Sequence, residues 1–208
     1  MAPVEPKKKA PAKKKTPARP KKQRGPFARL TSFLVDETAH AIGDPVPAKS
    51  EAAIRDVASE DPEVAAFVGA LLDGNTSFSV FDLEIYPGML LRGKSGEKWN
   101  ESGAVVGDDE LCLARNGGGD LYVWSATTGE VRFVLHDEGF RVSRRHANTD
   151  DFVEHAMDQV IEGCDADGLE DADPRYLACL GLALRIGDAD SLDDEAREKL
   201  VELDVLSA

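Results

Sequence analysis

The stretch Arg115–Glu138, RNGGGDLYVWSATTGEVRFVLHDE, combines several residue types that catalysis and ligand binding use. It opens on Gly117–Gly119 and Asp120, and it closes on His136–Glu138, a histidine followed by two carboxylates. A glycine run before a helix can cradle phosphate, and a histidine beside carboxylates can bind a metal ion or move a proton. The same pattern also suits a plain β-hairpin, so the choice among these readings decides whether an enzyme is expected.

The residues after the glycines favour the hairpin. A phosphate loop leads into a helix, but LYVWS alternates in the manner of a β-strand, and neither GxGxxG nor a Gly-Lys-Ser/Thr sequence occurs within Arg115–Glu138. Leu121 and Val123 alternate with Tyr122 and Trp124, and EVRFVL continues the alternation after ATTG. In that connection Gly129 can take positive φ at no steric cost.

No metal or catalytic motif accompanies the histidines. The chain has four, His40, His136, His146 and His155, without an HExxH sequence or a cysteine pair. The His136–Glu138 group is therefore predicted to be a polar strand end, with a metal or acid–base role as the weaker alternative. We predict no catalytic residue, no cofactor and no metal ligand, and hence a protein that is not an enzyme.

Two other polar stretches contain residue types that binding and catalytic sites use. The acidic run DADGLEDAD, residues 165–173, lacks the ligand spacing of an EF-hand and is predicted to be a solvated linker. Ser143 in RVSRRHA has no GxSxG-like elbow around it. The basic side chains there, Arg141, Arg144, Arg145 and His146, fit either a site for an anionic partner or a charged edge strand that discourages aggregation.

Apolar periodicity predicts helices before this strand-rich region. A first helix ends near Ile42 and has four apolar residues on one face: Phe27, Leu30, Leu34 and Ala41. A second helical region begins at Ser50. Within it, Asp61 is a predicted N-cap, Pro62 suits the first helical position, and Gly74 can close the helix.

The middle of the chain predicts about five or six short strands. SFSVFDLEIYPGMLLR alternates, with Phe81, Leu83 and Ile85 expected on one face. ESGAVV, ELCLAR and FRVSRR are further strand candidates around the hairpin. Short turns between them indicate an antiparallel sheet.

Helices return after the strands. Asn148 or Thr149 is expected to cap a helix that ends at Gly163. Asp173–Pro174 and Ser191 are expected to open two more helices. The predicted fold is therefore α+β, an antiparallel sheet flanked by N- and C-terminal helices.

Charge divides the chain sharply. Residues 1–24 carry a net charge of +9, whereas residues 25–208 carry −23, and together they give −14. The Lys/Pro/Ala-rich segment 1–25 cannot bury enough apolar surface to order itself and is predicted to be a disordered tail. Its lysines are candidates for non-specific polyanion binding: Lys7, Lys8, Lys9, Lys13, Lys14, Lys15, Lys21 and Lys22.

The sequence also indicates the cellular compartment of the protein. It contains no apolar run long enough for a membrane span, and its first thirty residues lack the apolar core of a secretion signal. Cys112, Cys164 and Cys179 are odd in number and widely spaced, which favours a reducing compartment over a disulfide framework. We therefore expect a cytoplasmic protein without a membrane partner.

The hairpin resembles the signature of the SUKH superfamily, bacterial toxin-immunity domains related to a fungal cell-wall-assembly regulator. The similarity covers roughly residues 60–162, and Phe152 and Val153 match the family's closing helix. The hairpin positions that match are Gly118, Gly119, Asp120, Tyr122, Gly129, Val131 and His136. This divides the chain into the tail, a SUKH-like domain at 26–162 and an acidic helical extension at 163–208.

The resemblance implies a non-enzymatic protein-binding domain, an immunity or regulatory protein that neutralises a nuclease-type toxin by direct binding. The acidic body agrees, because an acidic face steers association with a basic protein partner. The alternative is a nucleic-acid-associated protein that is anchored by its lysine-rich tail.

Overall fold

A computed structural model describes residues 24–36, 46–91 and 106–207. In these ranges, helices precede and follow one antiparallel sheet, so the predicted α+β fold is confirmed. The helices α1 to α6 span Pro26–Asp36, Ala48–Ala58, Pro62–Gly74, Thr149–Glu162, Pro174–Ile186 and Asp194–Glu202. The strands β1 to β6 span Phe78–Val80, Leu83–Ile85, Glu110–Arg115, Leu121–Ser125, Val131–Leu135 and Arg141–His146. No helix in the described ranges has the length and apolar character needed to cross a bilayer.

The sheet is a meander in which every strand pairs with the next one along the chain. The predicted hairpin is confirmed as β4 and β5, which pair antiparallel with Tyr122 opposite Phe133. Its turn uses Gly129 at φ +74°, and the turn between β3 and β4 uses Gly119 at φ +95°. Both values lie in the left-handed region that glycine adopts without strain.

Side-chain caps begin three of the helices where the sequence predicted them. Asp61 accepts hydrogen bonds from the backbone N–H groups of the first turn of α3, and Asp173 does the same for α5. Asn148, rather than Thr149, caps α4 by accepting from the N–H of Asp151. Gly163 ends α4, as predicted.

One predicted helix boundary is wrong and another is confirmed. Ser191 does not open α6, because it belongs to a short 3-10 turn, and Asp193 is the residue that caps the helix. Gly74 is the last residue of α3, as predicted, and Asn75 takes the left-handed conformation after it, at φ 47°. A carboxylate supplies the cap as well as a hydroxyl does, and asparagine tolerates the left-handed region better than most residues.

The predicted strand through Phe81 is also wrong in part. The chain reverses at Phe81 and Asp82, so that β1 and β2 form a small hairpin, and a 3-10 turn follows at Pro87–Leu91. Phe81 has φ 49° and is 37% exposed, so it does not share the buried face of Leu83 and Ile85. A tight reversal breaks the two-residue period, and the alternating pattern conceals the turn.

The sheet is apolar on both faces. One face packs on the helices and contributes Tyr122 and Trp124 to the main core. The other face carries a smaller cluster: Met89, Val106, Cys112, Leu121, Val123 and Val134. All five residues of β4 are therefore buried.

The C-terminal helices share the main core. Leu180 and Ala183 of α5 and Leu200 of α6 are fully buried in the cluster that holds the sheet and α1. The first turn of α1 is fixed to α4, because the backbone N–H of Phe27 donates to Asp150 Oδ1 at 2.8 Å. The predicted helix beyond Asp36, the first five residues of ESGAVV and the lysines of the tail lie outside the described residues.

Candidate functional site

The structure separates the hairpin positions into two groups. Gly119, Asp120 and His136 meet at one end of the β4–β5 hairpin, where the turn after β3 approaches the end of β5. A Cβ atom on Gly119 would lie 3.4 Å from the His136 ring, so the ring packs over this glycine. Gly129 and Val131 lie at the opposite end of the hairpin, where Val131 is buried in the main core.

Asp120 fastens this end of the sheet. Its Oδ1 accepts from the backbone N–H of His136 at 2.8 Å and lies 3.0 Å from His136 Nδ1. Its Oδ2 accepts from Asn116 Nδ2 at 3.0 Å, and its own N–H donates to Asn116 Oδ1. Burial tends to raise the pKa of Asp120, but the hydrogen bonds from His136 and Asn116 outweigh it and lower the pKa.

A metal ion would compete with these hydrogen bonds. Asp120, His136 and Asp137 place one ligand atom each within 4.8 Å of one another, the arrangement that a cation site would need. The oxygens of Asp120 already accept N–H donors, however, and His136 and Asp137 are exposed. These contacts support the interpretation of His136 as part of a polar strand end that closes the turn.

A cleft of about 670 Å³ opens beside this turn, between the sheet and α4. Its floor is formed by Tyr122 and Phe133, whose rings lie 4.7 Å apart between centroids. One wall is the β1–β2 turn with Phe81 and Asp82, and the opposite wall is the last turn of α4 with Gln159. The cleft is thus aromatic at its base and polar at its rim.

The β1–β2 turn, which forms one wall, contacts two glycines of neighbouring segments. A Cβ atom on Gly117 would lie 3.0 Å from Asp82 Oδ1, so the β1–β2 turn lies against the turn after β3. A Cβ on Gly163 would lie 4.0 Å from the Phe81 ring, which also stacks edge-on against Tyr176 of α5. The cleft is therefore already formed in the free protein.

The rim is negatively charged. Asp82, Asp120 and Glu162 line the cleft, and no lysine or arginine does so among the residues that the structure describes. The C-terminal end of α4 also lies there, and a helix C-terminus carries partial negative charge. These features give the rim of the cleft a negative electrostatic potential.

Tyr122 places a polar group at the base of the cleft. The residue is 4% exposed, and burial raises the pKa of its hydroxyl to about 12, so the group stays protonated at neutral pH. Its only hydrogen-bond contact within the described residues is with Gln159 Oε1, at 3.5 Å, which is at the long limit for such a bond. The described residues therefore satisfy this hydroxyl only weakly.

A second titratable group lies at the end of β6, next to α4. His146 is buried between Tyr122, Phe152 and His155, with its ring 5.2 Å from that of His155. Its Nε2 has no hydrogen-bond partner among the described residues. Burial, and secondarily the neighbouring positive groups, lowers the pKa of both His146 and His155.

The remaining predicted positions lie apart from the cleft. Ser143 is exposed on edge strand β6, and it is the extra residue where the β5–β6 register shifts. In the acidic run, Asp165 accepts from the N–H of Gly168 and Asp173 caps α5, so both act in local turns. Cys112, Cys164 and Cys179 are all buried.

Sequence reasoning missed the walls of the cleft. Asp82, Gln159 and Glu162 come from segments that are distant along the chain, and Phe81 was assigned to a buried face. The one available signal was Phe81–Asp82 itself, an aromatic and a carboxylate that interrupt the pattern of Leu83 and Ile85. Comparison with protein-family models, with curated protein sequences and with solved structures finds no match to this chain.

Proposed function

We propose that this protein is a non-enzymatic binding domain that captures a basic protein through the cleft and the acidic surface around it. The observation that carries the proposal is the cleft itself, which is preformed and has three carboxylates and no lysine or arginine among its described lining residues. A cleft of this charge favours a cationic partner and repels nucleic acid.

The biological role that fits this binding is immunity or regulation. The SUKH-like hairpin implies neutralisation of a toxin by direct contact, and nuclease toxins present basic surfaces to their substrates. An acidic body of net charge −23 would speed encounter with such a surface. The three cysteines are odd in number and widely spaced along the chain, which suits action in a reducing compartment such as the cytoplasm.

The test is capture of a partner by the full chain immobilised as bait in a lysate of its source cells, first at low and then at moderate salt. We expect one basic protein to stay bound at moderate salt, because contacts at the cleft are shielded better than diffuse surface charge. Retention of nothing, or of a mixture that moderate salt removes, would contradict the proposal.

The lysine-rich segment favours a second function, association with nucleic acid. A full-length variant with glutamine at the eight candidate lysines separates the two, because its acidic cleft is unchanged. If the tail acts as an anchor, a gel shift with duplex DNA is strong for the wild-type chain and lost for the variant. If the cleft function holds, both proteins retain the same basic partner.

A further inference from the structure

We propose that the cleft is a socket for one arginine side chain of the basic partner, an inference that rests on the proposed function. The floor of Tyr122 and Phe133 offers aromatic surface, and Phe81 adds a third ring at the rim. A cleft of about 670 Å³ has room for a long side chain together with part of the loop that carries it. The shape suits an anchor residue at the centre of an interface.

The charges point to a cation. Asp82 and Glu162 are exposed carboxylates on opposite walls, and no ion pair engages either of them within the described part of the chain. The last turn of α4 adds the partial negative charge of its carbonyl groups. A positive group between these walls would face negative potential from both sides.

The acceptors favour guanidinium over ammonium. The Tyr122 hydroxyl oxygen and Gln159 Oε1 lie 3.5 Å apart at the base of the cleft, too far to satisfy each other well. A guanidinium group presents five N–H donors in one plane, so it can donate to these oxygens and to a rim carboxylate together. Its flat face also stacks on aromatic rings, which a lysine ammonium cannot do.

The test is an NMR titration of the full isotopically labelled chain with N-acetyl-arginine amide. The matched control ligand is N-acetyl-citrulline amide, which has nearly the same shape and no charge. We expect saturable shifts of the backbone signals of Tyr122, Gln159 and Gly163 with the arginine compound, and none with citrulline. The lysine analogue should bind at least about threefold more weakly, because it has fewer donors and no planar face.

Two double variants test whether the arginine compound binds in the cleft. Asp82→Asn with Glu162→Gln should weaken arginine binding about fivefold to tenfold, the loss of two solvent-facing charge pairs. The control, Asp171→Asn with Glu198→Gln, removes the same charge from exposed positions outside the cleft and should change binding less than about twofold. Thermal unfolding of each variant checks that the fold is retained.

Three results would overturn the socket: equal binding of the citrulline or lysine analogue, shifts spread over the acidic surface, or equal weakening in both variants. The bait experiment keeps the two proposals apart. If a basic protein is retained but the arginine compound ignores the cleft, the socket is wrong and the proposed function stands. If the compound binds at the cleft and the bait retains nothing, the proposed function is wrong.

Discussion

His136 and His146 lie at opposite ends of the β5–β6 hairpin and experience opposite environments. The His136 side chain is 42% exposed and contacts the carboxylate of Asp120. That of His146 is 3% exposed, and its Nε2 has no hydrogen-bond partner among the described residues. The first histidine helps to fasten a turn, while the second fills space as an uncharged ring. Residue type alone therefore does not indicate what a histidine does in this fold.

The largest expected difference between the two histidines is in the stability lost when each ring is truncated. His146→Ala should lower the free energy of unfolding by about 2 kcal/mol, because it leaves a cavity between Tyr122, Phe152 and His155. His136→Ala is the control and should cost at most about 0.5 kcal/mol, since the lost contact is exposed. Urea unfolding measures both, and an equal loss in the two variants would contradict the distinction.

Removing the partner of His136 should have a somewhat smaller effect than the His146 cavity. Asp120→Ala leaves the His136 N–H and the Asn116 amide without their acceptor, and we expect a loss of about 1.5 kcal/mol. Asp120→Asn keeps one acceptor oxygen and should lose less. Chemical denaturation of the two variants compares them, and wild-type stability in the alanine variant would show that Asp120 does not fasten the turn.

The smallest expected effect that distinguishes the two histidines is on the pH dependence of the unfolding free energy. The pKa of His146 is lowered from 6.5 by burial in the fold, so the unfolded chain binds more protons, and stability falls as pH drops from 6.5 towards the lowered pKa. The charged groups around the ring are Arg144, Asp151 and His155. His146→Phe keeps the ring volume and should reduce the fall in the unfolding free energy between about pH 7 and about pH 5; the pKa of His155 is also lowered, so His155 contributes the fall that remains.

Asp120 provides the control at lower pH. Its pKa is lowered from 3.8, so its contribution is present above that value and is lost as pH falls further. In the Asp120→Asn variant, the unfolding free energy should therefore change with pH as it does in the wild-type chain between about pH 7 and about pH 5. Equal slopes for His146→Phe and the wild-type chain in that range would show that the ring does not titrate as its burial indicates.

Local signals predicted much of the fold. The caps at Asp61, Asn148 and Asp173 each depend on a side chain and the two or three residues after it, and all three are confirmed. The β4–β5 hairpin likewise follows from a short alternating pattern around Gly129. Such features are readable because sequence neighbours alone determine them.

The cleft could not be predicted in the same way. Asp82 approaches Gly117 because β2 pairs with β3, and Gly163 approaches Phe81 because α4 packs beside the sheet. The burial of His146 also depends on α4, since Phe152 and His155 cover it. No pattern along the chain encodes these distances, and Phe81 was misassigned because its turn resembles continuous alternation.

The order of the strands carries a consequence for folding kinetics. Because each strand pairs with its sequence neighbour, the sheet can assemble through successive hairpins that each close a short loop. The docking of α1 on α4 closes a much longer loop and loses more chain entropy, because Phe27 and Asp150 are 123 positions apart. Loop-closure entropy therefore favours a transition state built on the β3–β5 region, with α1 joining afterwards. Substitutions on the buried face of α1 would then speed unfolding and leave the folding rate nearly unchanged.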